Sequence, residues 1–435
     1  MATANLTPFL FSDNPDIVEI QLSEVVYRDD LYPRIKPDAA TIQRYAENLE
    51  VLPPIEVNQN GILIDGFHRW TAHRKNEAPT IRAIVTQTAS ENEVYALAIE
   101  RNSTHGLQMN NEDKKSSAIR LYAAGTGYSK EDIARILSVS TRSVTGYLTD
   151  VDKQLREDRK QRISDMWMAC YTSEEIADAV GVSRQSVDGL LPKMEELPNS
   201  AKVLSKFQDQ DFSPPLYNVW SFAKKTNAVG HFGNTEQRIV DNLLYLYTEP
   251  FDIVVDPFAG GGSTIDICRY RSRRYWASDR KPIVERENEI RKLDIVEDVP
   301  PLNKRWSDVT LTYLDPPYWK QAENQYSTDA EDLANQPLEE FTDNLIGVVN
   351  RIAERQSRGV IALIIQPTQW RSDNRQFTDH IMHLVTGVNQ KRLRLENRIS
   401  CPYSTEQCTP QQVEWAKANK QLLVISRELI VWKLV

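Results

Sequence analysis

The pattern of apolar and polar positions divides the chain into three regions with different periods. Up to about Val85, short β-type runs mix with helical ones. Val57-Asn58-Gln59-Asn60-Gly61-Ile62-Leu63-Ile64-Asp65-Gly66 reads as a hairpin whose Asn-Gly supplies the positive φ angles of a tight turn. A helix follows, opening Gly66-Phe67-His68-Arg69-Trp70-Thr71-Ala72; Gly66 permits close backbone approach where unpaired N–H groups favour anions. From Ser116 to Leu191 the period is helical. It fades through Pro192, Pro198 and Ser213-Pro214-Pro215, and short strands then alternate with helices. Phe251 to Asp256 is apolar on both faces, as in a buried parallel sheet, Val309 to Leu314 is strand-like, and Arg274 to Asp279 is a further strand ending in an acid. Leu422 to Ser426 and Leu429 to Leu434, joined at Arg427-Glu428, look like two strands that close the sheet.

The helical region repeats itself. Tyr128-Ser129-Lys130-Glu131-Asp132-Ile133-Ala134, with Val139-Ser140-Thr141-Arg142-Ser143-Val144, returns 43 residues later as Tyr171-Thr172-Ser173-Glu174-Glu175-Ile176-Ala177, with Val182-Ser183-Arg184-Gln185-Ser186-Val187. In each copy a Ser/Thr cap precedes an acidic first turn, a small Ala lets two helices approach, and a Val-Ser pair starts the next helix. That is a helix-turn-helix, twice. Ser140 and Ser183 would cap recognition helices exposing Arg142, Arg184 and Gln185, side chains suited to guanine and adenine edges. An all-helical spacer that touches no DNA is the alternative.

Composition narrows the function. With 435 residues, 40% hydrophobic and 26% charged, the chain is long enough for two or three globular domains. No apolar run approaches the roughly 20 residues that span a bilayer, and the first residues lack a secretory pattern, so a cytoplasmic protein is expected. Four cysteines form no CxxC pair and have no histidine to complete a zinc set, so reduced thiols and no metal are expected. His380 and His383 are read as surface residues. The net charge of −9 argues against bulk basicity, but residues 351 to 435 hold 13 Lys+Arg against 7 Asp+Glu, a local +6. Arg371, Arg375, Lys391, Arg392, Arg394 and Arg398 are the candidates there for phosphate contact.

Two turns carry the chemistry. Asp256-Pro257-Phe258-Ala259-Gly260-Gly261-Gly262 lies at a strand's carboxyl end, where open α/β sheets bind ligands, and Asp279 about 20 residues on is placed for a ribose diol. Asp315-Pro316-Pro317-Tyr318 ends another strand, since two prolines cannot continue a ladder. Asp315 and the Pro316 carbonyl can accept hydrogen bonds from an exocyclic amino group while Tyr318 stacks on its ring. The nitrogen is thereby drawn toward tetrahedral geometry, with its lone pair aimed for in-line methyl transfer.

These motifs, in this order, resemble the amino-methyltransferases that modify adenine N6 or cytosine N4 in DNA, over residues 214 to 435. The resemblance implies S-adenosylmethionine bound by Asp256, Phe258, Gly260, Gly262 and Asp279, with Asn234 and Thr235 in His231-Phe232-Gly233-Asn234-Thr235 at its methionine end and Asp294 near its adenine. It makes Asp315, Pro316, Pro317 and Tyr318 the catalytic loop. The hairpin, the Gly-Phe-His-Arg-x-x-Ala motif and Arg101-Asn102-Ser103-Thr104-His105-Gly106 resemble the ParB/sulfiredoxin-like N-terminal domain, over residues 1 to 110. That resemblance implies a nucleoside triphosphate at His68, Arg69 and Asn102; helix capping and packing is the alternative role for His68 and Arg69.

The expected fold is α/β overall: a Rossmann-like methyltransferase domain (214–435), an all-α helix-turn-helix middle (111–200) and a small α+β ParB-like domain (1–110). The expected function is site-specific methylation of double-stranded DNA, with adenine N6 favoured by Asp at the first loop position. The alternatives are cytosine N4, an RNA or protein-glutamine amide, and a ParB-like regulator with a degenerate catalytic domain. Homodimerisation stays open.

Overall fold

The structure, a computed structural model, describes residues 17–31, 33, 38–104, 109–123, 126–222, 236–320, 329, 331–369, 377–402 and 408–435. The chain divides into two compact units, residues 1–158 and 159–435.

In the first unit β1 (Ile17–Gln21), α1 (Ala39–Ala46), β2 (Ile55–Asn58), β3 (Leu63–Asp65), α2 (Phe67–Lys75) and β4 (Thr80–Thr86) form a helix-flanked sheet of order β1-β4-β2-β3. β2 and β3 pair antiparallel, as the hairpin pattern requires, and β2 runs parallel to β4. Gly66 joins β3 to α2 at φ +99°, where a Cβ would stand 2.7 Å from Ile55 Cγ2 and 2.9 Å from the Arg69 guanidinium; only glycine fits. α3 (Glu91–Thr104), α4 (Asn111–Leu121), α5 (Lys130–Ile136) and α6 (Thr141–Tyr147) bury Val94, Ile99, Leu121, Ile133, Leu137, Val144 and Leu148 in one core. The division between units falls within α7 (Thr149–Met168).

The second repeat, α8 (Ser173–Val180) and α9 (Arg184–Asp188), lies in the second unit and has its own small core of Ile163, Trp167, Ile176, Ala177 and Val187. The capping signals of both repeats act locally. Ser129 with Asp132, and Thr172 with Glu175, close reciprocal capping boxes, while Ser140 and Ser183 accept from the backbone N–H of Ser143 and Ser186. Carbonyls at and just past the end of α7 find donors further along the second unit. Trp167 O accepts from Arg274 Nε (3.3 Å), Ala169 O from Arg291 Nη2 (2.8 Å) and Cys170 O from Arg305 Nη1.

After α10 (Leu191–Met194), α11 (Asn199–Ser205) and α12 (Gln237–Tyr247) comes the main sheet of the second unit. Its elements are β5 (Ile253–Asp256), α13 (Ser263–Tyr270), β6 (Arg274–Asp279), β7 (Ile290–Lys292), β8 (Val309–Leu314), α14 (Leu338–Arg355), β9 (Val360–Ile365), the short ladder β10 (Thr368–Gln369) with β11 (Phe377–Thr378), α15 (Ile381–Gly387), β12 (Leu393–Pro402), α16 (Pro410–Asn419) and β13 (Ser426–Leu434). The seven strands stand in the order β12-β13-β9-β8-β5-β6-β7. β9 to β7 are parallel, while β13 is antiparallel to β9 and β12 to β13. β5, β8 and β9 are wholly buried because alternate residues enter two cores. Ile253, Val255, Ile361 and Leu363 pack with Phe341, Leu345 and Ile352 of α14, whereas Val254, Leu311, Tyr313 and Ala362 pack with Ile239, Leu243 and Ile265 of α12 and α13.

Two expectations are corrected. Ser426–Leu434 is one strand rather than two, because its ladder to β12 continues from Ser426 through Arg427 and Glu428 into Leu429, with the ladder to β9 beginning at Glu428, and Leu422 lies outside it at 88% exposure. His380 is buried at 3% exposure, edge-on to Phe341 and Trp319, and burial pushes its imidazole down to about 4. His383 is exposed.

Gly359, entering β9 at φ +81°, sits where a Cβ would fall 2.0 Å from the Thr310 carbonyl oxygen. Gly359→Ala is expected to lower unfolding free energy by about 2–4 kcal/mol in denaturant titration. A loss below about 0.5 kcal/mol would contradict this packing.

Candidate active site

Because β7, β6, β5 and β8 are parallel, their carboxyl ends share one edge of the sheet. Asp256 ends β5, Asp279 ends β6, Asp315 follows β8, and Asp294 lies two residues past β7. The chain runs from β5 to β6 and β7 on one side and returns to β8 on the other. The crevice between β5 and β8 is thus the reversal of strand order at which open α/β sheets bind ligands.

The glycine turn is held from beneath and from one end. Phe258 N donates to Asp256 Oδ1 (3.0 Å), Ala259 N to Ser278 O (2.9 Å) and Gly260 N to Asp279 Oδ2 (2.9 Å), while Asp279 Oδ1 accepts from Lys281 N (2.9 Å). Gly260 and Gly262 have φ of +49° and +80°. A Cβ on Gly262, the N-cap of α13, would stand 2.7 Å from Arg286 Nη1. Arg286 itself donates to Gly262 O (3.1 Å) and Asp266 Oδ1 (2.7 Å). Burial raises the Asp256 carboxyl to about 7; the Thr264 hydroxyl and Phe258 N–H oppose that rise, and the charges of Asp315 and Asp279 add to it.

At the end of β8 the Asp315 carboxylate accepts from two phenols, Tyr318 OH on Oδ1 (3.2 Å) and Tyr313 OH on Oδ2 (3.3 Å). Pro316 is buried; Asp315, Pro317 and Tyr318 are half-buried. Trp319 anchors the loop, its Nε1 donating to Gln336 O (2.9 Å) and its carbonyl accepting from Thr368 Oγ1 (2.8 Å). Arg280 pairs with Asp294 (3.2 Å), Asp329 (3.1 Å) and Glu331 (3.2 Å), joining the end of β7 to the chain beyond the proline loop. Tyr313, Arg280 and Arg286 escaped the sequence reading. Tyr313 lies in an apolar strand that reads as plain core, and the two arginines act through partners distant in sequence.

The other expected site residues are dispersed. Asn234 and Thr235, like Arg371 and Arg375, lie outside the described residues. In the first unit His68 Nε2 accepts from Asp38 N (3.0 Å), Arg69 pairs with Asp65 (2.7 Å) and Asn102 Nδ2 donates to Ala98 O (2.7 Å). Arg142 and Gln185 are exposed, as is Arg184, which stands 3.5 Å from Asp188. Arg394 pairs across the sheet with Lys433, and Lys433 with Val360 at the start of β9. Val360 in turn pairs with Leu311, so Lys391, Arg392 and Arg394 sit toward the opposite end of the strands from Asp315, at least about 13 Å away along them at 3.3 Å per strand residue. Arg392 is tied there to Ala353 O (2.7 Å). Among the described residues, no group of His, Cys, Asp and Glu could hold a metal ion, and no helix is long and apolar enough to cross a membrane.

The second unit is thus an α/β fold that presents a glycine turn and a proline loop on adjacent parallel strands. Residues 80–286, just under half of the chain, match the sequence model of the DNA methylase family. The matched stretch includes the glycine turn and Asp279 and stops short of Asp315. The transcriptional regulator NovG of Streptomyces niveus is 29% identical over 160 residues, 33% of this chain and 50% of that protein, so the chain spans half the length of this curated relative. Among solved structures, the chromosome-partitioning protein ParB of Caulobacter crescentus, complexed to the centromeric parS site, is 16% identical over 40% of this chain and 99% of its own (TM-score 0.25). A Pnob8-like ParB-N domain is 13% identical over 44% of this chain and 89% of its own (TM-score 0.27).

The raised Asp256 carboxyl gives a pH test. Its native value, about 7, exceeds the ordinary aspartate value of about 3.9, so the proton favours the folded state. That contribution is complete below about pH 4 and lost as pH rises through about 7. Relative to wild type, Asp256→Asn is expected to gain on the order of a few kcal/mol of stability between pH 4.5 and 8 in urea titrations. Parallel pH dependences would show that the carboxyl is not held neutral by burial.

Proposed function

We propose that this chain is a site-specific DNA methyltransferase acting on an exocyclic amino group, with adenine N6 the leading target. The observation that carries the reading is the position of Asp315 and Tyr318 at the end of β8, beside the β5 glycine turn and Asp279. The residues suit an adenosyl cofactor. Gly260 and Gly262 leave the turn open to close approach, each Asp279 oxygen keeps a lone pair for a ribose hydroxyl, half-buried Phe258 lies in the turn beside the crevice, and half-buried Asp294 lies further along the same edge, past β7. Asp256 shapes the turn through Phe258 N. S-adenosylmethionine, when bound, supplies an electrophilic methyl carbon.

A base inside a duplex must be swung out to reach this edge. Asp315 and the Pro316 carbonyl then accept the two amino protons and Tyr318 stacks on the ring. With both amino protons accepted, the nitrogen's lone pair would be aimed out of the ring plane for transfer, and Asp315 would take the surplus proton along its hydrogen bond and pass it to solvent.

The proposed division of labour follows the three parts read from the sequence. The repeats at 111–200 are helix-turn-helix modules whose Arg142, Arg184 and Gln185 face DNA, on a Rossmann-like catalytic domain at 214–435. At residues 1–110, His68, Arg69 and Asn102 are proposed to receive a nucleoside triphosphate beside the Gly66 turn.

Incubating the full chain with labelled S-adenosylmethionine and mixed-sequence DNA, then resolving nucleosides by mass spectrometry, is expected to yield N6-methyladenine. N4-methylcytosine would move the target base, and unlabelled DNA would overturn the reading. Asp315→Ala should reduce transfer by at least about 100-fold. In the full chain, Arg142→Ala and Arg184→Ala should each weaken DNA binding by about 5- to 100-fold in fluorescence anisotropy. Unchanged affinity would return those helices to a packing role.

A further inference from the structure

We propose that Tyr313 is a positioning residue for methyl transfer: its hydroxyl holds one oxygen of Asp315 so that the other is presented to the amino group. The inference rests on the methyltransferase reading above. Tyr313 precedes Asp315 by two residues, so both side chains leave the backbone on the same side of the sheet. Its ring is 2% exposed, within the core that includes Val254, Ala362 and Val431. Its hydroxyl reaches Asp315 Oδ2 at 3.3 Å, while Tyr318 reaches Oδ1 at 3.2 Å.

The two phenols differ in freedom. Tyr318 is half-buried in the loop, and turning its ring onto a base breaks its bond to Asp315 and releases Oδ1 for an amino N–H. Tyr313 is locked in a close-packed core and keeps its contact throughout. An apolar side chain would fill β8 as well, so packing alone does not call for the hydroxyl. Burial, reinforced by the charge of Asp315, holds the Tyr313 phenol well above its ordinary range, so it stays protonated and able to donate. Besides Asp315, the titratable groups facing it are Tyr318 in the loop, Asp256 on β5 and Arg427 on β13.

Tyr313→Phe in the full chain tests this in two ways. Single-turnover methyl transfer is expected to fall about 10- to 100-fold while cofactor Kd and DNA KM stay within about twofold, since geometry is lost and binding is not. The 13C signal of the Asp315 carboxyl, assigned by its loss in Asp315→Asn, is expected to titrate at higher pH than in wild type, because a donor to the ionised form has gone. A wild-type rate, a matching loss of rate and cofactor affinity, or an unmoved titration would each overturn the proposal. Should the wild-type chain methylate no DNA while the titration still shifts, the methyltransferase reading falls and the Tyr313–Asp315 contact stands.

Discussion

The arrangement of the second unit depends on gathering four carboxyl groups along one sheet edge, two of them flanking the reversal between β5 and β8. Like charges drawn from water into one crevice repel each other and resist desolvation. Each acid is accommodated differently. Asp256 is held near neutrality by burial, Asp279 accepts two backbone amides, Asp294 pairs with Arg280, and Asp315 rests on two phenols. The positive-φ glycines, the Arg286 contact and the Trp319 anchor hold these compensations in register. The acids can therefore be read as four distinct groups rather than as one negative patch.

Local patterns in the chain were informative wherever the cause is local. Period-two and doubly apolar runs marked the central strands, and the Ser/Thr caps marked the helix starts of both repeats, because strand burial and capping act within a few residues. The glycine turn was legible because Gly260 and Gly262 take positive φ, and the proline loop because two prolines cannot continue a ladder. Tertiary effects were not. Nothing beside His380 announces that Phe341 and Trp319 will enclose it, and the polar break at Arg427-Glu428 hid a continuous strand maintained by its two neighbours. Charge counted along the chain placed Lys391, Arg392 and Arg394 in a basic region but could not say which end of a strand they occupy.

The arginines at the end of α7 give the second repeat a definite attachment. Carbonyls at and just past the end of α7 accept here from Arg274, Arg291 and Arg305, of β6, β7 and the turn before β8. Strands that carry the ligand-facing edge at one end thus also brace α7. The second repeat and the carboxyl edge of the sheet are therefore parts of one unit, whereas the first repeat lies in a unit with its own core.

Burial that raises the Asp256 carboxyl would also couple its protonation to any charge that docks beside it. A cation placed near Asp256 lowers the free energy needed to ionise it, so docking the cation expels part of a proton into the buffer. The apparent heat of docking would then vary with the ionisation enthalpy of that buffer, and the pocket would change its own charge to suit what enters it.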